Sequence, residues 1–265
     1  MNLQSIFAEL EQVDNEFFDR LEHVSRRGLF SSLTKKTVAV AAPSILASAL
    51  TSAYGQSSAL PDNVVDVLNF ALTLEYLEYR FYDIGNNLTM IPSQYKPAFE
   101  LIRRHEQIHV NLLKTVLGSK AIAEPKFDFS AKGNFPDTFT NFQTFAAVSQ
   151  AFEDTGVRAY KGQAPNLMNA KPILETALQI HATEATHAAR VRFLRGQKGW
   201  ISQSSPSGLP PAAAGVYMGE GNVTQKNINL QGILNGVVPI EGITEAFDEP
   251  LTKEQVLEIV KPFLA

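Results

Sequence analysis

Apolar residues recur at three- and four-residue intervals through most of the chain, the period of helices that bury one face. Four long stretches carry this pattern, each bounded by residues that start or stop helices. The first begins after Pro61-Asp62 and runs to about Gly85-Asn86-Asn87, and the second spans about Tyr95 to Gly118. The third spans about Asp137 to Lys161. After a break from Gly162 to Pro172, the fourth runs to about Arg195-Gly196. No segment shows the strict alternation of a strand. The connections between helices one and two, and between three and four, are short enough for antiparallel pairs. The stretch from Ser119 to Pro136, broken by Pro125, Gly133 and Pro136, is long enough to run back along a bundle. The expected fold is all-α: an antiparallel four-helix bundle with a long crossover between helices two and three, and a C-terminal extension packed on it.

The segments on either side have a different character. Residues 1–55 read as a twin-arginine export signal with a long amphipathic leader. Leu3, Ile6, Phe7, Leu10, Val13, Phe17, Leu21 and Val24 form the leader's helical stripe. Ser25-Arg26-Arg27-Gly28-Leu29-Phe30 then has two arginines, one spacer and two large apolar residues. An uncharged stretch from Thr37 to Leu50 and the small residues around Ala53-Tyr54-Gly55 complete the signal. That stretch is too short for a spanning helix of about 20 residues. The expectation is a protein exported folded by the twin-arginine translocation machinery to the periplasm or beyond, with no permanent membrane anchor. Residues 56–196 hold the bundle. Residues 197–265 form a loop-rich extension with short helices, the last of which opens on the capping box Thr252-Lys253-Glu254-Gln255.

Composition narrows the chemistry. The 265 residues are 45% hydrophobic, ample for one good-sized core. A formal charge of −4 provides no basic surface for nucleic acid. The chain has no cysteine, which rules out disulfides, iron–sulfur clusters, a Cys-x-x-Cys iron centre and a lipoprotein anchor.

What remains is a repeated set of carboxylates and imidazoles. Glu75, Glu106 and His109 recur 78 positions later as Glu153, Glu184 and His187, so Glu-x30-Glu-x2-His occurs twice at one offset. Tyr82 and Tyr160 follow the upstream glutamates by seven residues, and Arg80 and Arg158 share the offset too. On a helix, positions i and i+3 lie on one face, so Glu106 with His109, and Glu184 with His187, form ready chelates. Helices one and three each add a glutamate. Four carboxylates facing one another in a core repel unless cations compensate them, and this oxygen-rich, sulfur-free set suits two iron or manganese ions. The repeat prefers Glu75 over Glu78 as ligand, because the counterpart of Glu78 is Gly156. Glu78 then belongs beside the ligands or on the surface, and Asp154 at the surface or in polar support. His105 and His181 have no matching histidine in the other half. Tyr82 and Tyr160 sit two turns past Glu75 and Glu153, too far to bind the same metal. From there each can hydrogen-bond a ligand carboxylate on a facing helix, or relay an electron.

The run Leu68-Asn69-Phe70-Ala71-Leu72-Thr73-Leu74-Glu75-Tyr76-Leu77-Glu78, the two Glu-x-x-His motifs and Ala246-Phe247-Asp248-Glu249-Pro250-Leu251-Thr252 resemble exported ferritin-like proteins related to desiccation- and stress-associated proteins. The resemblance covers about residues 60–265. It implies a ferritin-like bundle with a di-iron or di-manganese centre, acting on a small oxidant such as hydrogen peroxide or dioxygen. The alternative is a non-enzymatic stress or metal-sequestering protein with a structural metal pair. Lacking cysteine, the chain departs from rubrerythrins. Its tail is unlike that of cage-forming ferritins, although smaller oligomers remain open. It also keeps both Glu-x-x-His glutamates, one of which manganese catalases usually lack.

Overall fold

A computed structural model describes residues 60–202 and 209–265. The leader, the Arg26-Arg27 motif and the cleavage segment lie outside the described residues, as does Ser204-Ser205-Pro206.

Among the described residues four long helices form: α1 (Asp62–Asn86), α2 (Lys96–Leu117), α3 (Phe142–Gln163) and α4 (Lys171–Leu194). The chain is an all-α helical bundle. Asp62 in the first turn of α1 complements the helix dipole, and prolines sit in the first turns of α2 and α4, where their missing N–H costs nothing. The third helix starts later than the sequence suggests. Residues 137–140 are turn, and Asn141 caps the helix by accepting from the Gln143 backbone N–H at 3.0 Å. Helix α4 ends where Gly196 takes a left-handed φ of 74° and the Gln197 N–H reaches back to the Arg192 carbonyl at 2.9 Å.

Helices α1 and α2 pack as one pair and α3 and α4 as the other. Asn86 ties the first turn-around by donating to the Tyr82 carbonyl at 2.9 Å and to the Phe99 carbonyl at 3.1 Å. The crossover runs along α1. Asn69 holds its start through the Lys120 carbonyl and the Ile122 N–H, each at 2.9 Å, and Arg80, further along α1, pairs with Glu124 at 2.8 Å. Phe129 and Phe135 of the crossover then enter the core.

The apolar interior divides into two clusters. One is rich in aromatics: Phe81 stacks on Phe145 at 4.6 Å and meets Phe152 edge-on at 5.1 Å, with Tyr82 and Phe99 alongside. The other, at the opposite half of the bundle, gathers Val64, Leu68, Leu72, Leu113, Leu117, Tyr160, Ile173 and Ile180.

The C-terminal extension packs on α3. It contains the short helices α5 (Leu230–Ile233), α6 (Ile240–Thr244) and α7 (Lys253–Val260). Helix α7 opens with the expected capping box between Thr252 and Gln255. The extension also holds a hairpin, β1 (Thr224–Gln225) against β2 (Ile228–Asn229), that the sequence pattern does not announce. Two-residue strands leave no alternation to read, and the turn depends on the left-handed Lys226 and Asn227. Arg158 of α3 anchors the extension. It pairs with Glu220 at 2.8 Å, donates to the Glu249 carbonyl at 2.7 Å and the Met218 carbonyl at 2.5 Å, and also donates to the Val216 carbonyl. Among the described residues no helix is long and apolar enough to cross a membrane.

Candidate metal centre

Near the middle of the bundle the four long helices turn their buried polar residues toward one another. Glu75 comes from α1, Glu106 and His109 from α2, Glu153 from α3, and Glu184 and His187 from α4; all four carboxylates are fully shielded from solvent. The six residues fall into two overlapping sets, Glu75-Glu106-His109-Glu184 and Glu106-Glu153-Glu184-His187. Around His109, its Nδ1 lies 3.1 Å from Glu75 Oε2, from Glu106 Oε2 and from Glu184 Oε1. Around His187, its Nδ1 lies 2.9 Å from Glu106 Oε1, 3.3 Å from Glu153 Oε2 and 3.7 Å from Glu184 Oε2. Glu106 and Glu184 therefore offer one oxygen to each set, whereas Glu75 and Glu153 each serve one.

Protons alone do not satisfy this cluster. A ring nitrogen donates at most one hydrogen, yet His109 Nδ1 has three carboxylate oxygens at equal distance. Glu106 Oε1, Glu153 Oε2, both Glu184 oxygens and His187 Nδ1 are buried without a well-directed hydrogen bond. In an octahedral shell with bonds of about 2.1 Å, adjacent donors stand about 3.0 Å apart. Five of the six separations, from 2.9 to 3.3 Å, are close to that edge, so the donor set fits metal cations.

The electrostatics point the same way. Burial pushes Glu75 up to about 8, and it raises Glu153 and Glu78 well above the usual carboxylate value. Burial opposes charging His109 and His187 as well, but the surrounding carboxylates win and hold both imidazoles protonated. Those imidazoles in turn outweigh burial at Glu106 and Glu184 and keep both below the ordinary value. Without metal, the cluster thus neutralises itself with protons that a cation would displace.

The two tyrosines act reciprocally across the bundle. Tyr82 of α1 donates to Glu153 Oε1 of α3 at 2.5 Å and also meets Ser149 Oγ at 2.5 Å. Tyr160 of α3 donates to Glu75 Oε1 of α1. Burial, followed by the charge of the adjoining carboxylate, raises both phenols, so each remains a neutral donor. His105, half-buried, places its Nδ1 2.9 Å from His187 Nε2, with the two rings stacked. His181 is not part of the cluster, and its Nε2 is buried without a hydrogen-bond partner.

A match to the family model for the ferritin-like domain covers residues 63–197. The chain belongs to the ferritin-like family. A search of curated proteins returns no match. The matched span starts within α1 and ends just past α4, so the ferritin-like domain contains all six central residues and both tyrosines.

At two positions of the ferritin-like domain the structure selects between the places that the sequence allows. Glu78 is not at the surface: it is 3% exposed and fills the space opposite Gly156, where an added Cβ would stand 3.1 Å from Glu78 Oε1. Gly156 stands at the position that mirrors Glu78 in the repeat, but only the fold sets the two against each other. Asp154 is not at the surface either. It is buried, accepting from Arg192 at 2.5 and 3.1 Å and from the Tyr217 hydroxyl at 2.6 Å. Arg80 and Arg158 share the repeat offset but not a role, one being a half-exposed partner of Glu124 and the other the buried anchor of the extension. Ser149 carries no signal in the sequence, because only the fold brings it to Tyr82.

Proposed function

We propose that this chain is a carboxylate-bridged di-iron or di-manganese protein that consumes peroxide or oxidises ferrous iron, in protection against oxidative or desiccation stress. The observation that carries this reading is the sharing of Glu106 and Glu184 between two donor sets, each completed by one histidine and one further glutamate. When bound, such a metal pair supplies two electrons that, with two protons, take dioxygen to hydrogen peroxide or hydrogen peroxide to two waters. The residues do the rest. Glu75 and Glu153 are the singly used carboxylates, and Tyr160 and Tyr82 hold their outer oxygens so that each presents the other oxygen to its set. The same phenols are placed to pass an electron. His105 fixes the ring of His187 through its far nitrogen. Two apolar clusters flank the centre.

Export as a folded protein fits this chemistry. Ser25-Arg26-Arg27-Gly28-Leu29-Phe30 suits the twin-arginine pathway, which would let iron or manganese be taken up before the chain meets copper and zinc, metals that bind such donors more tightly. The expected destination is the periplasm or the exterior.

Anaerobic purification, element analysis and mixing with dioxygen or hydrogen peroxide test the proposal. We expect a pair of iron or manganese ions per chain and a change in absorbance on oxidation. A loaded but inert and spectroscopically silent centre would refute the redox reading in favour of a structural or sequestering one. Retention of both metals by the Glu106→Ala/Glu184→Ala double variant would refute the metal reading itself. For export, replacing Arg26 and Arg27 by lysine should leave the protein in the cytoplasm; unchanged export would exclude the twin-arginine route.

A further inference from the structure

One half of the bundle interior encloses a cavity of about 30 Å³, room for one or two water-sized molecules and not for an acyl chain. It is walled by all four long helices, with Leu74 and Ala71 from α1, Leu113 from α2, Tyr160 from α3 and Ile180 from α4 among its lining. At one end Leu74 is the chain neighbour of Glu75, and the Tyr160 hydroxyl rests on Glu75 itself. At the other, Val116, Thr176 and Ala177 are partly exposed, between α2 and α4, the helices that touch each other only sparsely.

The wall carries three polar side chains, and each makes a hydrogen bond to a residue outside the lining. Tyr160 donates to Glu75, Thr176 Oγ1 to the Pro172 carbonyl at 3.1 Å, and Gln163 Oε1 accepts from Asn166 at 2.9 Å. A water needs two to four polar partners, and a lined apolar void without them stays dry. Hydrogen peroxide has the same needs as water. Dioxygen has none.

We infer that this cavity is the access route and holding site for dioxygen at the Glu75 side of the centre, distinct from any path taken by hydrogen peroxide. The inference rests on the metal reading above and selects among its oxidants. Xenon, an apolar probe of similar size, reports the cavity without metal. In xenon-pressurised crystals, or by xenon chemical shift in solution, the wild type should bind xenon against Leu74, Leu113 and Ile180. Ala71→Phe should exclude it, and Ala177→Leu should do the same with less disturbance if the first variant folds poorly. In the xenon-excluding variant loaded with ferrous iron, oxidation by dioxygen should fall at least about tenfold, while the reaction with hydrogen peroxide stays within twofold of wild type.

Absence of xenon in the wild type overturns the inference, as does an unchanged dioxygen rate in a variant that has lost xenon. Equal losses with dioxygen and peroxide also overturn it, since they report damage to the centre. Failure of the wild type to bind iron at all removes the metal reading and this inference together, whereas bound iron without bound xenon removes the inference alone.

Discussion

Removing a single hydroxyl from Tyr160 would leave Glu75 Oε1 without its donor while the ring still fills its place in the core. Because such supporting hydrogen bonds orient a ligand carboxylate, Tyr160→Phe should weaken metal binding by about 10–100-fold, measured by chelator competition, with the helical circular dichroism unchanged. Tyr82→Phe should act the same way through Glu153, which Tyr82 reaches at 2.5 Å. Glu75 and Glu78 make a sharper contrast. Glu75 belongs to a donor set and Glu78 does not, although both are buried on one face of α1. Glu75→Gln should therefore cost metal stoichiometry by element analysis, whereas Glu78→Gln, which mimics a carboxyl already held protonated by burial, should keep the metals. The preference for Glu75 is legible in the repeat. The burial of Glu78 is not, because it depends on the groove that Gly156 leaves on another helix.

Helix α3 takes part in two buried arginine–carboxylate pairs, one that ties it to α4 through Asp154 and Arg192 and one that ties it to the extension through Arg158 and Glu220. Arg192 is 2% exposed and its partner Asp154 equally buried, so Asp154→Ala strands a charged guanidinium in the interior. That change should cost about 3–5 kcal/mol of stability, read by urea unfolding. Arg158 spreads its hydrogen bonds over carbonyls of Val216, Met218 and Glu249 as well as the Glu220 carboxylate. Arg158→Met should loosen the extension, seen as faster limited proteolysis between residues 216 and 250, while the bundle helices stay protected. Lysine should not rescue it, because one ammonium cannot match the fan of guanidinium donors. The sequence marks Arg80 and Arg158 as equivalents. Their divergence arises because the crossover passes one and the extension covers the other, and neither neighbour lies close in the chain.

For the molecule as a whole, metal binding, protonation and stability are one linked equilibrium. In the metal-free state Glu75 is pushed up to about 8 by burial and keeps its proton at neutral pH, as do the two imidazoles. Metal must displace those protons, so its apparent affinity should fall as pH drops below about 8 and protons should be released on binding. Titration calorimetry in two buffers of different ionisation enthalpy measures that release directly; identical heats would contradict it. Because metal binds the folded centre and not the dispersed ligands of the unfolded chain, stripping it should lower the melting temperature, and adding iron or manganese back should restore it.

The doubled Glu-x30-Glu-x2-His, the helical periodicity and the breaker positions determined by themselves that the chain forms paired helices with four glutamates and two histidines facing inward. Those features are local: a period of 3.6 residues, a spacing of three along one helix, a loop long enough to cross over. Which carboxylates are shared, that each tyrosine serves the glutamate of the opposite helix, that Glu78 and Asp154 are interior, and that an apolar void ends at Glu75 were decided only by the tertiary structure. Each of these depends on distances between helices that meet far apart in the chain, and no spacing along one strand of sequence contains such a distance.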